Sequence, residues 1–162
     1  MAETDFIVKG LTVKYSGVFN LKELYKYIKR WLKETGSFQD INEKLYQEEE
    51  KEDLRTTTIK VDSKKKVDDY TKFIIKTTIK ASDYEDVEVN GKKMQKGDLK
   101  IEFNAEMEKD YQERWEEAPS RKFFRGLYDR FLIGFKIDKL TKELVGETYD
   151  IYNEVKDYLN LK

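Results

Sequence analysis

The chain has 162 residues, room for one domain with a sizeable core. Hydrophobic residues make up only 38% and charged residues 40%, but eleven tyrosines, nine phenylalanines and two tryptophans argue for a folded protein with a thickly charged surface. A net charge of −1 counts against a protein built to grip nucleic acid. With no cysteine and no histidine, disulfides, thiolate nucleophiles, histidine triads and Cys/His metal sites are excluded.

In chain order, residues 6–15 are β-branched and aromatic and predict a first strand, which Gly17 ends. Asn20 then offers a capping oxygen, with Glu23 at the reciprocal position, and Leu21, Leu24, Tyr25, Ile28, Trp31 and Leu32 repeat at helical spacing up to Gly36. Residues 37–50 fit either state. Phe38, Ile41 and Leu45 suit a short second helix better than a strand, and the acidic residues 48–53 read as a solvated connection.

From Arg55 the period changes to two: Thr57, Ile59 and Val61 share one face. The lysines at 64–66 suggest a turn before Phe73, Ile75, Thr77 and Ile79 alternate with polar neighbours. Asn90-Gly91 is a hairpin signal, since both turn positions tolerate positive φ. Leu99, Ile101, Phe103, Ala105 and Met107 then alternate with charged or amide residues, as in a sheet with one wet and one dry face. Pro119 opens a long helical pattern over 119–161. Its first stripe is Phe124, Leu127, Tyr128, Phe131 and Phe135; its second, after a slip beside Gly134, is Ile137, Leu140, Leu144, Ile151, Val155 and Leu159. Phe131 and Phe135 are expected to face Ile101 and Phe103.

These elements predict a single α+β domain: one antiparallel sheet around a long, kinkable C-terminal helix, preceded by a strand–helix unit. The order resembles the helix-grip architecture of START and Bet v 1-like proteins, which implies a ligand space between sheet and last helix. The strings VDDYTKF, KDYQERW and LYDRF resemble small uncharacterised archaeal proteins, a resemblance that implies an origin and no activity.

No motif singles out a catalytic residue or a cofactor. Two carboxylates at the right spacing can hydrolyse glycosides or hold magnesium, yet the acidic clusters at 48–53, 83–88, 106–110 and 116–117 are interleaved with lysines as a salt-bridged surface would be. Asn90-Gly91-Lys92-Lys93 lacks the spacing of a phosphate loop. Lys22, Lys26, Lys29, Arg30 and Lys33 form a basic strip on the first helix. It could meet an anionic partner, though a solvated helix face is the commoner origin of such a strip. Phe123 and Leu132 lie off the core stripe beside Arg121, Lys122, Arg125 and Arg130, where a partner-binding helix would carry them. An apolar ligand between sheet and helix would be lined by Trp31, Phe73, Ile75, Ile101, Phe103, Trp115, Phe131 and Phe135, although these side chains serve equally well as solid core. The expected function is a non-enzymatic binding module for an apolar small ligand or a protein partner; the alternative is an assembly protein that self-associates through its terminal helices. No leader pattern and no run of membrane-spanning length is visible, so a cytoplasmic protein is expected.

Overall fold

The computed structural model describes residues 3–109 and 134–161. Five strands, β1 (Glu3–Phe19), β2 (Asp40–Lys51), β3 (Leu54–Lys66), β4 (Thr71–Val89) and β5 (Lys92–Lys109), form one antiparallel sheet in the order β1-β5-β4-β3-β2. Helix α1 (Leu21–Glu34) links β1 to β2, and helix α2 (Gly134–Tyr158) follows β5 and packs on the sheet. This is the expected α+β arrangement of a single sheet with a C-terminal helix against it.

β1 and β2 lie at opposite edges of the sheet, and α1 joins them lying along β2: its start shares a cleft with Tyr46 and Glu48, Tyr25 donates to Glu43, and its last turns meet Phe38 and Ile41. Asn20 caps it, accepting a hydrogen bond at Oδ1 from Glu23 N (3.1 Å), and Leu21, Leu24, Ile28 and Leu32 face the sheet. At the far end the left-handed residue is Ser37 (φ 59°), and Gly36 serves a different need. A Cβ there would stand 3.0 Å from both Leu32 O and the Phe38 ring, so Gly36 lets Phe38 tuck under the helix end.

β4 and β5 meet at Asn90-Gly91, with φ of 51° and 77°, the hairpin the sequence predicts. β2 and β3 meet at a similar two-residue turn, Glu52-Asp53, with φ of 52° and 68°. On the dry face Ile59 and Val61, Phe73, Ile75 and Ile79, then Leu99, Ile101, Phe103 and Met107 form one cluster with Leu140, Leu144, Ile151 and Val155 of α2. Each such fully buried side chain stabilises the fold by about 1.5–3 kcal/mol.

The structure differs from the sequence expectations at several points. Residues 40–51 are a strand and no helix: only Ile41 and Leu45 are half-buried, too little apolar surface to hold a helix down, whereas extended chain satisfies the outer row of β3 amides and carbonyls. Phe38, which the helix reading counted in its stripe, is buried beneath α1 instead. Glu48, Glu49 and Glu50, with Lys51, therefore belong to an edge strand, where charge discourages further strand pairing. The lysines at 64–66 complete β3. The turn follows them, where Asp68 Oδ1 accepts from Tyr70 N (2.8 Å) and Thr71 N (2.7 Å). β1 runs through Gly17 to Phe19 because Gly17 keeps its pairing with Gly97 at a φ of 145°. Glu106, expected in solvent, is only 8% exposed on the outer face, flanked in register by Phe6 and Ile74 and paired with Lys76 at 3.4 Å.

The second stripe is buried as expected, from Leu140 to Val155 in α2 and at Leu159 just past its end, with Ile137 half-buried. Phe135 is not: it lies in the first helical turn, 90% exposed, and does not face Ile101 and Phe103. Of the first stripe, Phe124, Leu127, Tyr128 and Phe131 lie outside the described residues, as do Trp115, Pro119, Phe123 and Leu132.

Candidate functional site

Of the expected lining residues, the described ones do not meet around a common space. Phe73, Ile75, Ile101 and Phe103 are neighbours on the dry face, each at most 1% exposed, and they act as solid core beneath the helices. Trp31 is half-buried and lines a separate crevice of about 270 Å³ between α1 and α2 with Tyr27 and Glu154. Phe135 points to solvent, and Trp115 and Phe131 are outside the described residues.

A larger cleft of about 520 Å³ opens at the start of α1, between that helix and the ends of β2 to β5. Its floor is Leu21 and Ile59, its walls are Tyr25, Tyr46 and Tyr84, and its rim carries Lys22, Lys26, Arg55 and Lys93 with Glu23, Glu48 and Asp86. Two irregularities in the sheet build it. In β4 the register shifts between Ser82 and Glu85, with Asp83 at φ 51°, so the dry-face sequence of Ile79 and Ala81 is continued by Tyr84. Opposite, the register shifts between Arg55 and Thr57, which sets Arg55 beside Tyr84. Gly97 makes room for the bulge, since a Cβ there would sit 2.7 Å from Tyr84 Cα.

A chain of polar contacts holds these walls. The Tyr84 hydroxyl and Thr57 Oγ1 share a buried hydrogen bond of 2.6 Å, and the Arg55 guanidinium lies 5.0 Å from the Tyr84 ring centre. Arg55 pairs with Asp86, which also takes Lys93 at 3.3 Å and an amide hydrogen bond from Gln95 Nε2 at 3.3 Å. Partial burial pushes the Asp86 carboxyl up, but the Gln95 and Lys93 hydrogen bonds and the Arg55 and Lys93 charges together hold it below the usual carboxylate range. The oxygen of the same Gln95 amide accepts from Leu21 N at 2.9 Å, tying the first turn of α1 to the network. Tyr25 donates to Glu43 (2.7 Å) and Tyr46 to Glu48 (3.0 Å). Burial first, and then those carboxylates, raises both phenols above their ordinary value.

The basic strip of Lys22, Lys26, Lys29, Arg30 and Lys33 is exposed along its whole length. Lys22 and Lys26 reach the cleft; Lys29 and Lys33 continue past it toward a shallower hollow floored by Phe38 and Ile41. Tyr27 is turned away to α2, where its hydroxyl donates to Glu154 (2.6 Å) and its ring stacks on Tyr158. Among the described residues no three carboxylates gather closely enough to hold a metal ion, and no helix is long and apolar enough to cross a membrane.

Sequence reasoning missed Tyr25, Tyr46, Arg55, Tyr84, Asp86 and Gln95 as site residues. One signal was present: in Ala81-Ser82-Asp83-Tyr84 the alternation of β4 breaks, which is how a bulge registers in sequence. No protein-family model, no curated protein and no solved structure matches the chain.

Proposed function

We propose that the protein is a non-enzymatic binding module that takes a small ligand in the cleft at the start of α1. The observation that carries this reading is the cleft itself. About 520 Å³ falls within the range of small-molecule sites, roughly 300–1,000 Å³, and its walls come from α1 and four strands. The space between sheet and C-terminal helix, where the helix-grip order would put an apolar ligand, is filled at Ile75, Ile101, Phe103 and Leu144, which favours the cleft.

Binding fits the cleft's chemistry better than catalysis does. Burial, and then the carboxylates they donate to, raise Tyr25 and Tyr46 above the ordinary phenol value, so both stay protonated at neutral pH and neither supplies a phenolate. Asp86 is held ionised by three donors and does not serve as an acid. The polar groups of the wall are satisfied by one another, as in a preformed receptor surface.

The test is a fragment screen by ligand-observed NMR against the wild type and Glu48→Trp, whose indole would occupy the mouth. Hits on the wild type should be lost in the variant. Hits that survive it would place binding elsewhere. Self-association through the C-terminal helix is a second reading, favoured by the exposed Phe135 alone. Sedimentation that shows a monomer at high concentration would remove it.

A further inference from the structure

Resting on that reading, we infer that the cleft selects ligands with a flat apolar body and a single anionic group, a carboxylate or its phosphate-like equivalent. Four cations on the rim, Lys22, Lys26, Arg55 and Lys93, face three carboxylates, of which Glu48 and Asp86 are already engaged. Glu48 accepts the Tyr46 hydroxyl. Asp86 is shared by Arg55 and Lys93, so that trio carries surplus positive charge. Lys26 reaches Glu23 only at 4.0 Å, and Lys22 has no carboxylate partner among the described residues. Lys29 and Lys33, one and two turns further along α1, extend the positive field beyond the rim.

The body of the ligand is specified by the floor. Leu21 and Ile59 line the cleft together with Tyr25, Tyr46 and Tyr84, apolar and aromatic surface that suits a planar hydrocarbon. Three of the first four helix amides are already taken, Leu21 N by Gln95 Oε1, Glu23 N by Asn20 Oδ1 and Leu24 N by Asn20 O, so the helix end is not the main anion site. The anion is therefore held by lysine side chains at the rim, while the rings hold the body. Each half alone is exposed to water and binds poorly; joined in one molecule they act together.

The experiment is a ¹⁵N–¹H titration of the full chain with 1-naphthoate, 1-naphthalenemethanol and inorganic phosphate. Naphthoate should move the amides of Leu21, Tyr46 and Gln95 and bind at least about tenfold tighter than the alcohol. Phosphate alone should give no saturable shift below about 10 mM. In Lys22→Gln/Lys26→Gln, both exposed positions, naphthoate should weaken about tenfold to the level of the alcohol while the thermal midpoint holds. If the alcohol binds as tightly as naphthoate, or the double variant binds naphthoate unchanged, charge selection is wrong and the cleft reading survives. If phosphate binds as tightly as naphthoate, the apolar slot has no role and the inference also fails. If neither aromatic probe moves the cleft amides, both the inference and the reading beneath it fall.

Discussion

Replacing Lys65 with methionine should destabilise the protein far more than an ordinary lysine substitution does. Lys65 sits at the end of β3 with a side chain only 14% exposed, and it joins three elements. Its Nζ donates to Gly36 O beyond the end of α1 (2.8 Å) and to Glu147 Oε1 of α2 (2.6 Å), and it lies 4.9 Å from the Phe38 ring centre. At an effective dielectric of about 20 the ion pair is worth roughly 6 kcal/mol of attraction, most of it offset by desolvation. Removing the cation leaves Glu147 without its partner at a site where Oε2 already lacks one. For a fully buried pair that costs about 3–5 kcal/mol. Glu147 keeps 28% of its side-chain exposure, so we expect about 2–3 kcal/mol for Lys65→Met. For a domain of this size that lowers the melting temperature by roughly 4–12 °C. Lys65→Met/Glu147→Leu should recover much of the loss, since no charge is stranded. Urea unfolding of the two single variants and the double variant gives the coupling energy. A loss under about 0.5 kcal/mol for Lys65→Met, or no coupling, would refute the clamp.

Two glycines make a paired test: Gly97→Ala meets the backbone of Tyr84 and should cost about 1–3 kcal/mol, whereas Gly146→Ala, in open space within α2, should stabilise by up to about 1 kcal/mol in thermal unfolding. Leu144→Ala should cost about 2–5 kcal/mol and Phe135→Ala under about 0.5 kcal/mol by denaturant titration, because Leu144 is fully buried and Phe135 is 90% exposed. The hydrogen bond to Glu154, then burial, pushes the Tyr27 phenol up to about 12, and Tyr25 and Tyr46 are also raised. Their contribution to stability is complete below the free phenol value of about 10 and is lost as pH rises through the folded values, so absorbance at about 295 nm should show delayed ionisation that coincides with alkaline unfolding. Asp68 runs the other way. Burial pushes it up, but the amides of Tyr70 and Thr71 and Lys136 at 3.0 Å pull it below the usual carboxylate range, so its contribution is present above pH about 3.9 and fades as pH falls through its folded value.

What the sequence revealed is what local chemistry controls. α1 could be read because cap, stripe and length agree, and β5 because its inward and outward residues alternate without a break. Asn90-Gly91 announced its hairpin by steric tolerance alone. β2 was illegible because an edge strand buries almost nothing: its state is decided by the backbone partners β3 offers, which no local pattern records. Glu52-Asp53 hid the second hairpin, since neither residue is glycine and both adopt positive φ. The cleft was harder still. Tyr84 faces inward only because β4 slips between Ser82 and Glu85, and Gln95 matters only because β5 carries it to the start of α1, 74 residues away in sequence. Register and bulges are properties of paired strands, so the site they build was out of reach even where its residues had been noticed singly, as in the acidic cluster around Asp86.

A methyl-resolved NMR spectrum tests the location of the ligand site most directly. With methyl groups of isoleucine and leucine labelled, saturating 1-naphthoate should shift Leu21 and Ile59, which floor the cleft, and leave Ile75, Ile101 and Leu144 of the packed interior unmoved. Shifts at Ile75, Ile101 and Leu144 with Leu21 and Ile59 still would put the ligand between sheet and helix and contradict the placement argued from the cleft.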